Sequence, residues 1–167
     1  MPTEKELDKA LETALKSNEL FREWFISRTK FKGDNPEYLW SRSDSPWTTV
    51  QLALPSDKTG EFEIMKRQGE TDVLFVFQFP AEPMRRCGLH IENKLASGRF
   101  TKYQPQLYAA RAKQWANNPK YGNYNEWDTV LVAPQSFLDG HYTLAKPFGA
   151  FVSHEEIAHY ITNFGRE

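Results

Sequence analysis

ETDVLFVFQF (residues 70–79), followed after a short break by CGLHIENKLA (87–96), decides how this chain is read. Each run has strand length, and the connection PAEPM (80–84) is bounded by prolines, which end strands and favour turns. Two apolar runs joined in this way predict an antiparallel hairpin. Across a hairpin the numbers of paired residues have a constant sum. A turn centred on Glu82 therefore sets Asp72 opposite Glu92, and one centred on Pro83 sets it opposite Lys94. Side chains alternate along a strand, so His90, Glu92 and Lys94 share one face while Leu89, Ile91 and Leu95 share the other. One face carries chemistry and the other carries core.

Two carboxylates held close together repel and resist ionising together, but a hard divalent cation such as Mg²⁺ turns that repulsion into coordination by oxygen. A metal so held polarises a phosphoryl oxygen and acidifies water, and an ammonium two residues away offsets charge that develops in the transition state. Asp72, Glu92 and Lys94 supply those groups. A Glu-x-Lys triplet on an exposed strand is ordinarily a solvated surface pair. Here it is the only such triplet in the chain, and Asp72 adjoins five consecutive apolar residues, Val73 to Phe77. In such surroundings ionisable groups are costly unless paired or bound to metal.

The segment KLASGRFTKYQPQLYAARAKQW (94–115) runs from the lysine into a helix expected over 102–118, with Pro105 in its first turn. Gln104, Tyr108, Arg111 and Trp115 are spaced to share one helical face. A capping box between Thr101 and Gln104, with Tyr108 and Trp115 as core, accounts for three of these residues and leaves Arg111 unexplained. A glutamine with both donor and acceptor, together with an arginine, is also suited to holding a phosphate or an attacking water.

In order along the chain, GETDVLFVF, LHIENKL, YQPQLYAAR, WDTVLVAPQSFL and VSHEEIAHYI resemble the PD-(D/E)xK nuclease superfamily, and within it a set of uncharacterised bacterial members. The resemblance spans roughly residues 69–161. It implies Asp72 and Glu92 as metal ligands, Lys94 as the catalytic lysine and Gln104 as the glutamine that follows. Tyr108 and Arg111 match the next helix positions and are expected to bind substrate. Glu70 matches an additional acidic position. LFREWFISR (20–28) resembles the family's first helix more loosely, and Glu12, Glu19 and Glu23 compete for the acid that many members place there.

The implied fold is α/β with a restriction-endonuclease-like core, a mixed central sheet containing an antiparallel strand meander and flanked by helices. A single domain is expected over 1–167, with N-terminal helices in 3–30, a catalytic core at about 48–134 and a C-terminal helix over 153–164. The implied function is Mg²⁺-dependent phosphodiester hydrolysis, Mn²⁺ substituting, with DNA preferred to RNA as substrate. The alternative is a catalytically silent nucleic-acid-binding or regulatory module of the same fold. A homodimer is compatible with either.

At 167 residues, 40% hydrophobic and 14% aromatic, the chain is long enough for one real core and is not disordered in composition. Its one cysteine, Cys87, has no internal partner, and no secretory segment or long apolar run appears, so a cytoplasmic protein without membrane contact is expected. A net charge of −1 gives no general attraction to nucleic acid. Residues 84–113 nevertheless hold seven basic residues, Arg85, Arg86, Lys94, Arg99, Lys102, Arg111 and Lys113, against the single acid Glu92, which predicts a local basic stripe.

Elsewhere, a Thr3 to Glu6 capping box and Leu7, Leu11 and Leu15 open an amphipathic helix. A second helix is expected over Asn18 to Ser27. Residues 31–47 are turn-rich, and their aromatics are expected to cover a core edge, base stacking being their other use. Trp40, Trp47 and Trp127 are assigned to the core. TTVQLALP (48–55) and GEFEIMKR (60–67) alternate as strands, and DTVLVAP (128–134) is apolar on both faces, as a central strand is. His154 and His159 are five apart, where a zinc pair on one helical face needs four, so both are read as surface or packing residues.

Overall fold

The computed structural model describes residues 1–166. Helix α1 (Glu4–Ser17) begins at the expected capping box, the Thr3 hydroxyl accepting from the Glu6 amide and the Glu6 carboxylate accepting from the Thr3 amide. Its stripe of Leu7, Leu11 and Leu15 is fully buried. Asn18 ends α1 and caps α2 (Glu19–Ser27), accepting from the Phe21 amide and sending Phe21, Phe25 and Ile26 into the same core.

Five strands form a mixed sheet in the order β1 (Glu37–Arg42), β4 (Val73–Gln78), β5 (Arg86–Asn93), β6 (Glu126–Ala133), β7 (Ala150–Ser153). The first two pairings are antiparallel and the last two parallel. The predicted hairpin is the β4–β5 pair. Its register runs from Val73 opposite Ile91 to Gln78 opposite Arg86, a turn centred on Glu82, so Asp72 continues the register toward Glu92. β6 lies inside the sheet, as its two apolar faces require.

Helices α1 and α2, with the short α6 (His154–Ile157), cover the face carrying Phe75, Phe77, Leu89 and Ile91. Helix α3 (Gln104–Trp115) covers the opposite face, where Trp115 joins Leu74 and Val76, and Tyr108 joins Leu131. α4 (Gln135–Gly140) and α5 (Tyr142–Ala145) complete that side through Phe137 and Ala145. Among the described residues no helix is long and apolar enough to cross a membrane.

Several expectations are corrected. β2 (Thr48–Pro55) and β3 (Phe62–Gly69) pair along their whole length but form a separate two-stranded ribbon, not part of the sheet. The ribbon buries Val50 and Leu54, and Gln114 of α3 donates to the Thr49 carbonyl. The turn-rich segment 31–47 contains the edge strand β1, and the four-residue β7 was not foreseen. Trp40 and Trp127 pack partly buried beside Trp115, but Trp47 is 67% exposed.

α3 is shorter than expected because Tyr103 sits at φ 63°, in the left-handed region, and Ala116 is already extended. The closing helix keeps its capping box, Ser153 with Glu156, yet stops at Ile157 and resumes as a 3-10 turn over Thr162–Gly165. A continuous helix would hold residues 154 and 164 about 15 Å apart. The break instead folds Phe164 back against the His154 ring, with centroids 4.9 Å apart.

Candidate active site

Alternation along β5 turns His90 and Glu92 toward α3, and the residue after the strand, Lys94, is held by β6. Its backbone amide donates to the Val132 carbonyl at 2.8 Å, extending the parallel ladder by one step. Lys94 Nζ lies 2.7 Å from Glu92 Oε1, and both side chains are nearly buried. Gln104, at the start of α3, donates its amide to the same Glu92 oxygen at 2.8 Å. Its carbonyl oxygen accepts from the Thr101 amide at 3.1 Å. The expected capping box does not form, because Tyr103 stands at the N-cap and makes no side-chain cap bond, so Gln104 ties the Thr101 backbone to the Glu92 carboxylate instead.

Asp72 stands just before β4. Its Oδ2 accepts from the Asn93 backbone amide at 2.9 Å, and its own amide donates to the Tyr108 hydroxyl at 3.2 Å. Tyr108 thus spans from α3 to the strand entrance. Asp72, Glu92, Lys94 and Gln104 line one cavity with Glu70 on the same wall, whereas Tyr108, expected to bind substrate, is fully buried behind it and bonded to the Asp72 amide.

None of the three glutamates that compete for a first-helix acid lines this cavity. Glu12 accepts from the Ser43 hydroxyl, and Glu19 and Glu23 line a different depression with Arg22. Asp8 is the buried acid of α1. Its Oδ1 accepts from the Asn93 side-chain amide at 3.0 Å, and Glu4 reaches the cavity wall. A signal for Asp8 was present in the sequence, since an aspartate three residues from Leu11 and seven from Leu15 falls inside an apolar stripe. Asn93 also carries more than was expected of it. Its amide nitrogen is spent on Asp8, so its Oδ1 is the acceptor and His154 Nε2, at 2.8 Å, is the donor. His154 is thus a packing residue whose ring orients Asn93. Burial lowers its pKa to about 4.

Negative charge is in excess here. Burial, then the charges of Glu92 and Asp8, hold the Asp72 carboxyl well above the usual carboxylate range. Burial pushes Asp8 up to about 7, opposed by its bond to Asn93 and assisted by the charges of Glu92, Glu4 and Glu70. Carboxyls that resist ionising in this way mark a place where a cation would be stabilised. Among the described residues no group of three or more His, Cys, Asp or Glu side chains is gathered closely enough to cage an ion. Two carboxylates with the remaining positions left to water and phosphate suit Mg²⁺, which rarely has an all-protein cage.

Arg111 reaches this wall but is held by the protein itself. Its Nη1 donates to the Glu70 carbonyl at 2.7 Å, and burial lowers its pKa. Its Nη2 lies so close under Gly69 that an added β-carbon there would collide with it. Its Nε has no hydrogen-bond partner among the described residues. Behind it runs a directed chain. The Tyr124 hydroxyl donates to the Ala112 carbonyl, so it accepts from His90 Nε2 at 2.8 Å, and His90 Nδ1 accepts from the Thr71 hydroxyl at 2.9 Å. Burial keeps His90 neutral. The chain fixes Thr71, and with it the approach to Asp72.

The cavity at this site encloses about 430 Å³, walled by Asp72, Glu92, Lys94, Gln104 and Arg111 on the sheet side and by Trp47, Arg67 and Gln68 from the ribbon. A larger depression of about 820 Å³ lies between the outer side of α1 and the segment around Tyr160, and none of these residues lines it. The expected basic stripe forms only in part, Lys94, Lys102 and Arg111 lining the cavity. Arg85 and Arg86 stand at the opposite end of β5, about 26 Å from Lys94 at the rise of an extended strand. Lys102, at the cavity rim, is paired with Asp57. No family model, curated protein or solved structure matches the chain.

Proposed function

We propose that this protein is a Mg²⁺-dependent nuclease of restriction-endonuclease-like fold, hydrolysing phosphodiester bonds in DNA. The carrying observation is the convergence on Glu92, whose carboxylate receives both Lys94 and Gln104 while Asp72 faces it along the β4–β5 register. A divalent cation bound by Asp72 and Glu92 would supply the positive charge that polarises a phosphoryl oxygen and acidifies water. Lys94 offsets charge on the phosphate as the bond breaks. Gln104, with a donor aimed at Glu92, holds that carboxylate in place, and Tyr108 ties the Asp72 backbone to α3. Asp8 adds negative charge that strengthens cation binding, and the buried wall excludes bulk water and so strengthens each of these interactions.

A silent binding module is the second reading, favoured by the way Lys94 and Gln104 already satisfy the same Glu92 oxygen. Digestion of supercoiled, linear and single-stranded DNA and of RNA, with Mg²⁺ or Mn²⁺, separates the two. Cleavage that needs the metal and disappears in Asp72→Asn is expected. Binding without cleavage under either metal would establish the silent module.

A further inference from the structure

We propose that the outward face of the β2–β3 ribbon, from Trp47 to Phe62, is a platform for an unpaired nucleic-acid strand leaving the Glu92–Lys94 site, an inference that rests on the nuclease reading. The ribbon's pairing register sorts its residues into two faces. Val50 and Leu54 turn inward and are buried, whereas the pairs Gln51 with Lys66, Ala53 with Ile64 and Pro55 with Phe62 turn outward. Trp47, one residue before β2, is 67% exposed, Ile64 78% and Phe62 74%. Large apolar groups left in water forgo the gain of burial, so a contiguous row of them marks a surface that something covers.

Two observations choose the occupant. The row is continuous with the candidate active site, because Trp47 and Gln68 are themselves part of the cavity wall. Its outward residues also carry one charge only, the cation Lys66, the ribbon's acids lying in the turn at Asp57 and Glu61 or on the inward row at Glu63. Aromatic and apolar side chains alternating with amides and a lysine suit a strand of nucleotides, whose bases stack while the phosphates meet the cation. An indole at the lip of the cavity reaches the face of a base only where that base has no stacked neighbour, at an unpaired stretch or a strand end. From residue 47 to 55 the row measures about 26 Å, enough for roughly four nucleotides.

The test is fluorescence anisotropy in Mg²⁺ with labelled unpaired DNA, unpaired RNA and a blunt duplex of the same sequence. Asp72→Asn serves as the background because it keeps the side chain's shape while preventing cleavage. Trp47→Ala should weaken binding of unpaired strands about tenfold, Trp47→Phe should restore most of it, and duplex binding should hardly change. The DNA and RNA arms show which sugar the platform accepts. Melting temperature should stay at the parental value, since Trp47 is mostly exposed.

Unchanged binding of unpaired strands by Trp47→Ala, with wild-type cleavage intact, overturns the platform and leaves the nuclease standing. Failure of the wild type to bind or cut any of these strands overturns both. A dimer that dissociates on Phe62→Ser, with strand binding unaltered, assigns the face to a second copy and also overturns the platform.

Discussion

The two ends of β5 carry similar charged residues in opposite circumstances. At the start of the strand Arg85 pairs with both Glu82 and Glu126, all partly exposed, and Arg86 donates to the carbonyls of Asn123 and Gly122. Every charge there has a partner and access to water, so each pair contributes between about 0 and 1 kcal/mol. At the finish Glu92 is 2% and Lys94 9% exposed, and the acids Asp72, Asp8 and Glu92 share Lys94 and the Arg111 guanidinium, the latter bonded to the Glu70 carbonyl. Burial makes that excess expensive by several kcal/mol per ion unless it is compensated. Local imbalance under burial, more than charge itself, distinguishes a site from a surface.

The largest expected effect tests that distinction directly. Lys94→Ala should lower cleavage by roughly 10²-fold or more, because it removes the charge that meets the phosphate in the transition state. It should also lower the melting temperature, since Glu92 loses its cation while remaining buried. Lys94→Met keeps the apolar stem and isolates the missing charge. Arg85→Ala, at the other end, should change cleavage by no more than about twofold. Steady-state cleavage rates of the three variants decide the matter, and equal losses at both ends would erase the contrast.

What the sequence disclosed follows the same division. Asp72, Glu92 and Lys94 were legible because strand alternation and a proline-bounded turn are local signals, and only the choice between Glu82 and Pro83 as turn centre needed coordinates. Asp8 was half-legible, because its place in the leucine stripe is a local signal whereas its partner, Asn93 on β5, is fixed only when the sheet lies against the helix. β1 and β7 escaped notice for a related reason. Each exists through a partner distant in sequence, β4 for one and β6 for the other. Arg85 and Arg86 drop out of the basic stripe on geometry, since closeness in sequence along an extended strand is distance in space.

A smaller effect lies in the pH dependence of stability. A carboxyl whose folded pKa lies above its unfolded value holds its proton more tightly when folded, so its contribution is complete below about pH 4 and is lost as pH rises through the folded pKa. Asp8, at about 7, loses its share between roughly pH 4 and 7, and Asp72 is raised in the same direction. His154, lowered to about 4, acts oppositely between pH 4 and 6.5. Subtracting one melting curve from another removes that contribution. Without metal, Asp72→Asn should melt close to wild type at pH 4 and about 5 °C higher at pH 8, where it relieves the repulsion. Mg²⁺ should raise the wild-type melting temperature at pH 8 and leave the variant nearly unmoved. A pH-independent difference would mean that the acids at this end of β5 are not in conflict.

The smallest effect divides Gln104, the residue that joins helix start to carboxylate. Its oxygen accepts from the Thr101 amide ahead of the helix, and its nitrogen donates to Glu92. Gln104→Ala removes both bonds. Loss of the Thr101 bond costs about 1 kcal/mol, or roughly 2–4 °C, and loss of the donor frees the Glu92 carboxylate to turn, for which about a tenfold fall in cleavage is expected. Gln104→Glu keeps an oxygen for Thr101 but sets a carboxylate against Glu92, so it should cut less well than the alanine variant. Cleavage measured well below both melting temperatures separates the roles. If the two variants then cut as wild type does, Gln104 serves only to begin the helix, and the buried end of β5 depends on Lys94 alone to hold Glu92.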